Sequence, residues 1–438
     1  MKTSVEGDAA TIRDVASLLF ASDQRFTCAQ CGRCCHRTTV PVTADEAAAY
    51  RKAGAWKWFD EGDGTVADDA RDPFEPIPGH PALLRIRKRP DGACGFLTRE
   101  GRCRIHEVLG ADRKPVACRM FPFSFRPTEG GAIVTASFAC PTVIASEGAT
   151  LQAQTNELRA LHVAWKRTFP EPAAPFELAR GRPITRAAVG RMRTLLVDVL
   201  DRPDPARADG RPDLRANLRR IAALLEDWTR WRVLRLAPDD FLEYIGLAGR
   251  YAATNDKPAR VRPAGAVPRL LFRGFLLAVL GLQARLDPAF TGRRTALSAT
   301  LAGLLAHLHG FGPPVGGFRL RRAMRVPLDL DDAAVHAIVH RYLRTALETL
   351  GATRRPIVDE MAMRVSQLNA ACVIAGNHAS AAGRKAIDAD GLSHGLLAAA
   401  DLSHGDAGGR MSALLTTLTG GLEALYLFPP TAAASSAA

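Results

Sequence analysis

Phe26-Thr27-Cys28-Ala29-Gln30-Cys31-Gly32-Arg33-Cys34-Cys35 places four cysteines within eight residues. Cys-x2-Cys-x2-Cys lets one tight turn direct successive sulfurs at a common centre, and Gly32 can supply the positive φ that such a turn needs. Cys94, Cys103, Cys118 and Cys140 follow, so eight of the nine cysteines precede residue 141, and only Cys372 lies beyond. Met1–Phe26 carries Asp8, Arg13, Asp14 and Asp23 and lacks the apolar run of an export signal, so a cytoplasmic, reducing location is expected. Clustered thiols in that setting read as metal ligands rather than disulfides. Cys28, Cys31, Cys34, Cys35, Cys94, Cys103, Cys118 and Cys140 are the expected ligands. Eight thiolates suffice for two four-cysteine zinc sites, or for one iron–sulfur cluster with thiols to spare. The x2, x2 spacing and the later Cys140-Pro141 are like those of bacterial ferredoxins and favour a [4Fe–4S] cluster over zinc. Cys35 is the ligand hardest to place, because vicinal side chains diverge.

Later motifs extend the pattern. Cys94-Gly-Phe-Leu97 precedes Gly101-Arg-Cys103-Arg-Ile-His106, and Lys114-Pro-Val-Ala-Cys118-Arg-Met-Phe-Pro-Phe123 comes next. Together with the first run, these resemble the YkgJ-type (CxxCxxCC) zinc- or iron-chelating cysteine-cluster family over residues 26–141. The tyrosine often found after Cys-x-Ile in that family is His106 here. The x14 interval from Cys103 to Cys118 exceeds that of its short members. The added stretch, His106–Asp112, resembles the flagellin lysine N-methylase branch, whose members follow the cysteine domain with a long helical region. That resemblance implies S-adenosylmethionine as methyl donor and a protein lysine, such as one of flagellin, as acceptor. The alternative is a non-catalytic chelating module with a helical partner-binding domain. No catalytic residue can be named, because the chain lacks a Gly-x-Gly-x-x-Gly loop, a Walker loop, a radical S-adenosylmethionine motif and a Ser-His-Asp arrangement. Read alone, Phe121-Pro-Phe123 supplies apolar mass beside Cys118. Arg119 either offsets thiolate charge or forms a surface ion pair, and His106 is a minor candidate ligand.

The fold class expected is mainly α: a small irregular metal-stapled cysteine-cluster domain followed by an all-α helical domain. Residues 1–25 read as an N-terminal helix or arm, 26–150 as the cysteine domain, 151–428 as the helical domain and 429–438 as a disordered tail. Within the cysteine domain, Thr43-Ala-Asp-Glu46 is a capping-box helix start running through Tyr50. Trp56, Trp58 and Phe59 are read as covering a small core, Asp68–Pro81 as loop and Ala132–Phe138 as a strand. Helices are expected at Leu151–Thr168, Thr185–Leu200, Asp213–Leu236, Asp239–Ala253, Pro268–Arg285, Thr295–His309, Asp331–Leu350, Pro356–Gly376 and Arg410–Leu425, with breakers at Pro258–Pro268 and Gly310–Gly317.

The 438 residues carry a net charge of +13, of which +1 falls in residues 1–150 and +12 beyond. Only eight of the 58 basic residues are lysine. The excess reads as a solvated, Arg-rich helical surface, with attraction of an acidic protein partner or of nucleic acid as the alternatives. Apolar runs such as Phe275–Leu282 and Thr300–Ala306 fall short of the ~20 residues that span a bilayer, so no membrane insertion is expected. In the helical half, His336 and His340 lie one turn apart, a spacing that can bind metal, but these and His307 and His309 are read chiefly as helix-face residues. The echoed His394 and His404 are candidate functional loop residues, and Trp165, Trp228 and Trp231 are read as packing helices. Cys372 is read as a buried small hydrophobe.

Overall fold

The computed structural model describes residues 17–20, 24–37, 39–60, 72–128, 131–169, 175–230, 233–254, 323–351 and 355–403. It divides into two compact units, Met1–Ala173 and Ala174–Ala438. The expected helices at Pro268–Arg285, Thr295–His309 and Arg410–Leu425, both breakers, the tail, His307, His309, His404 and Trp231 lie outside the described residues.

The first unit is built on two small sheets. One has the order β1-β6-β5, from Leu18–Phe20 (β1), Phe123–Thr128 (β5) and Gly131–Ala136 (β6). β6 alternates buried and half-buried residues towards Cys140, as the pattern of Ala132–Phe138 predicts. β1 lies parallel to β6, so this part of the expected N-terminal helix or arm is a strand. The second sheet, β2-β4-β3, uses Pro41–Thr43, His80–Ile86 and Phe74–Ile77. The second sheet corrects the reading of 68–81 as loop at Phe74–Ile77 and from His80, residues 68–71 lying outside the described residues. Pro76 sits on edge strand β3, and Pro81 precedes the part of β4 that pairs with β2 (Leu83–Arg85). Prolines at those positions remove no hydrogen bond that the ladder needs.

Short helices fill the remainder: α1 Arg33–Arg37, α2 Ala44–Lys52, α3 Arg104–Leu109, α4 Val116–Met120, α5 Pro141–Ala145 and α6 Thr155–Thr168. The α2 capping box is formed as expected. The Thr43 hydroxyl accepts from the Glu46 amide (3.1 Å), and the Glu46 carboxylate accepts from the Thr43 amide (2.9 Å).

The second unit is helical, with one two-stranded ribbon, Phe176–Glu177 (β7) against Pro183–Ile184 (β8), that the all-α expectation omits. Its helices are α7 Arg186–Leu200, α8 Leu214–Trp228, α9 Pro238–Thr254, α10 Ala333–Glu348, α11 Ile357–Ala381 and α12 Ala389–Ser403. Ala188, Val189, Met192, Leu196, Val199 and Leu200 make the buried stripe of α7 at helical spacing. Thr185 and Asp213 cap α7 and α8. The expected helix over 213–236 stops at Trp228, and a 3-10 turn at Val233–Arg235 follows. No described helix is long and apolar enough to cross a membrane.

Candidate metal centre

The first unit has a core of Val40, Val42, Ala47, Tyr50, Ala55, Phe59, Phe74, Ile86, Ala93, Cys94, Phe96, Leu97 and Ile105. Cys35, Cys103 and Cys118 pack against it, so four thiol-bearing residues meet on one small apolar cluster. Phe59 and Trp58 cover this cluster, while Trp56 is only half-buried.

Local geometry delivers each thiol. Gly32 takes φ +70°, as the turn requires, and a β-carbon there would lie 3.0 Å from the Gly101 carbonyl. The Cys35 amide donates to the Gly32 carbonyl (2.9 Å), closing the turn that starts α1. The Cys94 amide in turn donates to the Cys35 carbonyl (2.8 Å), which joins the first ligand run to the second. Arg89-Pro90-Asp91-Gly92 reverses the chain before Cys94: the Arg89 amide donates to Ala93 (2.8 Å) and the Asp91 carboxylate accepts from the Ala93 amide (2.9 Å). A second reversal pairs Leu97 with Cys103, which caps α3.

The segment from Cys103 to Cys118 is braced by α2. The Tyr50 hydroxyl donates to the Arg113 carbonyl (2.6 Å), and Glu46 accepts from the Val116 amide (2.8 Å) at the start of the helix bearing Cys118. One carboxylate thus caps α2 and anchors α4.

Apart from Cys34, three thiols of the unit remain. Cys28 and Cys31 are exposed and Cys140 is buried, all nine cysteines being free. Residues 24–27 are stitched to the chain flanking Cys140. Gln24 exchanges two hydrogen bonds with the Ala136 backbone (2.8 and 2.9 Å), and Phe26 donates to Ala149 (2.9 Å). The Phe26 ring meets Phe123 edge-on at 5.2 Å.

Electrostatics separates these groups. Cys34 and Cys35 share a side-chain hydrogen bond, which lowers the Cys34 thiol and raises the Cys35 thiol. Burial pushes Cys94 up to about 11, partly offset by the Phe96 amide, and Cys103 adds to the rise. Burial and the neighbouring Cys94, Cys103 and Cys34 push Cys118 higher still. Cys140 is raised by burial, the Val143 and Thr142 amides opposing, and the Cys31 thiol adds to the rise. Thiols that raise one another resist ionising together, and a bound cation reverses that balance by holding them as thiolates. Five thiols (Cys34, Cys35, Cys94, Cys103 and Cys118) therefore form one interacting group, and Cys31 with Cys140 another. They are gathered rather than closed: among the described residues, no group of three or more Cys, His, Asp or Glu side chains stands preassembled for an ion. Such closure commonly accompanies binding, because thiolate sites and folding are coupled.

Two lysines that motif spacing did not assign a role face the thiols. Burial alone would lower Lys114, but Cys103, Cys28, Cys118 and Cys35 together raise it. Lys88 pairs by backbone with Cys94. Arg119 acts on the Tyr50 phenol, and its Nε, like His106 Nδ1, is buried without a hydrogen-bond partner. The only sequence signal for Lys88 and Lys114 is the rarity of lysine itself.

The described histidines of the second unit have ordinary partners. His336 Nε2 lies 3.0 Å from the Pro212 carbonyl and His340 Nε2 2.7 Å from Asp201 Oδ1. His394 sits on α12, its ring 5.0 Å from that of His378. Trp228 is fully buried and Trp165 packs on Phe169. Cys372 is buried, with its thiol pushed up to about 12 by burial alone.

Residues 27–141 match the family model CxxCxxCC, described as "Putative zinc- or iron-chelating domain". No curated protein and no solved structure matches the chain.

Proposed function

We propose that this chain is a metal-binding protein whose centre is held by the thiolates of Cys35, Cys94, Cys103 and Cys118, with Cys34 beside them. The observation that carries this reading is the meeting of those four residues on a single hydrophobic cluster. The donor set suits the family description: soft thiolates select zinc or iron over hard cations. Cys28, Cys31 and Cys140 supply a second set, supported by the proximity of Cys31 to Cys140. When bound, the metal supplies a charge centre that fixes the thiolates and staples a domain whose apolar core is small. The ferredoxin-like spacing of Cys28, Cys31 and Cys34, with Cys140-Pro141, supports a [4Fe–4S] cluster over zinc at that second set, Cys34 standing between the two.

Anaerobic purification, an absorption spectrum and elemental analysis test this reading. A brown protein with iron and sulfide is expected. A colourless protein with stoichiometric zinc replaces iron but keeps the thiol assignment, and folded protein without either metal overturns it.

Methyl transfer from S-adenosylmethionine to a protein lysine such as one of flagellin is a second reading. Its support is the resemblance of the extended Cys103–Cys118 segment to the methylase branch. Under this reading the helical unit holds the protein substrate; otherwise it is a partner-binding domain. Calorimetry of metal-replete protein with S-adenosylmethionine, with mass spectrometry of co-expressed flagellin, decides it. No binding together with unmodified flagellin excludes methyl transfer and leaves the metal reading intact.

A further inference from the structure

The lysine positions in the first unit are hard to explain by surface solvation. Two of the chain's eight lysines lie among the cysteine segments: Lys88 bonds backbone carbonyls beside Cys35 and Cys94, and Lys114 stands four residues before Cys118. Lys88 Nζ donates to the carbonyls of His36 (2.9 Å) and Gly92 (3.0 Å). One of those carbonyls follows Cys35 and the other comes two residues before Cys94. The same residue bridges Cys94 through its backbone. Its ammonium thereby ties α1 to the Cys94 loop on one side of the thiol group. Lys114 approaches from the other ligand segment, where the backbone is clamped on both sides: the Arg113 carbonyl by Tyr50 and the Val116 amide by Glu46. Both lysines are partly buried, so the charge of each acts in a medium less screening than water.

We propose that Lys88 and Lys114 form a cationic bracket that allows this core to hold the full negative charge of a four-thiolate metal site. The inference rests on the reading of Cys35, Cys94, Cys103 and Cys118 as that site. A four-thiolate zinc site carries about −2, and several kcal/mol oppose placing such charge in an apolar surround without compensation. The bracket supplies two positive charges without contributing a ligand. Lysine suits the task because its charge is compact and its three donors can divide among carbonyls and sulfur. These are positioning residues, acting on the metal through the thiolates.

The test uses the full chain, stripped of metal, reduced and held anaerobically, with zinc alone titrated against a chromophoric chelator. Lys88→Met and Lys114→Met should each lower zinc affinity ~10-fold and the double variant ~100-fold, the range seen for residues that support metal ligands. Lys88→Arg and Lys114→Arg should restore binding to within ~3-fold if charge is what matters. Cobalt(II) in place of zinc should give the same thiolate-to-metal absorption in the Met variants as in the wild type, because no ligand is lost. Arg variants as weak as the Met variants, or Met variants as tight as the wild type, overturn the bracket while the metal reading stands. A wild-type chain that takes up neither zinc nor cobalt overturns the metal reading instead. If a Met variant does not fold, Lys→Gln at that position carries the same comparison.

Discussion

Cys118 and Cys372 are both sequestered thiols, yet their surroundings have opposite logic. Cys372 lies among the apolar residues of α11, and burial alone raises its pKa. Cys118 is raised by burial and by three other thiols, and a lysine charge opposes that rise. The first environment treats sulfur as a small hydrophobe. The second collects groups that repel one another when ionised and so stores a demand for positive charge. The same contrast separates the two units. The helical unit gains its order from long stripes such as that of α7, whereas the cysteine unit is assembled from short helices, short strands and side-chain braces. Burial alone makes an inert thiol; burial in company makes one suited to a cation.

The largest expected effect is metal loss. Cys94→Ser or Cys118→Ser should lower bound metal and raise amide hydrogen exchange across residues 27–141, while α7, α8 and α10–α12 keep their protection. Structural zinc binding contributes on the order of 10 kcal/mol to the folding of small domains, so the change in exchange should be large. Cys372→Ser should leave metal content unchanged, and equal loss from that variant would erase the contrast between the two thiols.

The helical unit should fail in the converse manner. Trp228→Ala removes a fully buried ring and should cost about 3–5 kcal/mol in that unit by urea unfolding. Its metal stoichiometry should match the wild type.

A smaller effect is expected where the brace meets the centre. Glu46→Ala removes the α2 capping box and the acceptor for the Val116 amide, for about 1–3 kcal/mol. Partial metal loss should accompany it. A Glu46→Ala protein that is destabilised but metal-replete would show that α2 supports the fold and not the centre.

The smallest effect concerns pH. His162 stacks on Phe125 (4.5 Å), and burial, with Lys166 nearby, lowers its pKa from 6.5 to about 4. The unfolded chain therefore binds the proton more readily, so stability from neutral His162 is complete above pH 6.5 and declines as pH falls towards 4. His162→Phe should flatten that part of the pH–stability curve, and an NMR titration of His162 with a midpoint near 6.5 would contradict the assignment.

The cysteine-cluster domain and most described helices were legible because their signals are local. Thr43 with Glu46 specified the start of α2, and Gly32 the turn beneath α1. The stretch 68–81 misled because proline and aspartate density marks loops only when the ladder needs their amides; at Pro76 and Pro81 it does not. Helix α12 was not among the expected helices, because its segment drew notice only for the echoed His394, a candidate loop residue that the structure places within the helix. A β-carbon at Gly395 would lie 2.2 Å from the Ala371 carbonyl, so its glycine serves close packing of α12 on α11. The grouping of Cys35 with Cys94, Cys103 and Cys118, and the placing of Lys88 and Lys114, depend on contacts between residues far apart in sequence. No periodicity encodes them.

The stitching of residues 24–27 to Ala136 and to residues 148–151 bears on how the protein is made. During synthesis Cys28, Cys31, Cys34 and Cys35 leave the ribosome first, but Gln24 has no Ala136 to bind until more than a hundred further residues follow. At ~5–20 residues per second, the early thiols wait at least several seconds, unpaired and kept reduced only by their surroundings. Metal delivered before that moment meets a flexible run of three or four thiols; metal delivered after it meets the gathered group. The emergence of residue 151 is therefore the moment at which the early thiols first meet their later partners.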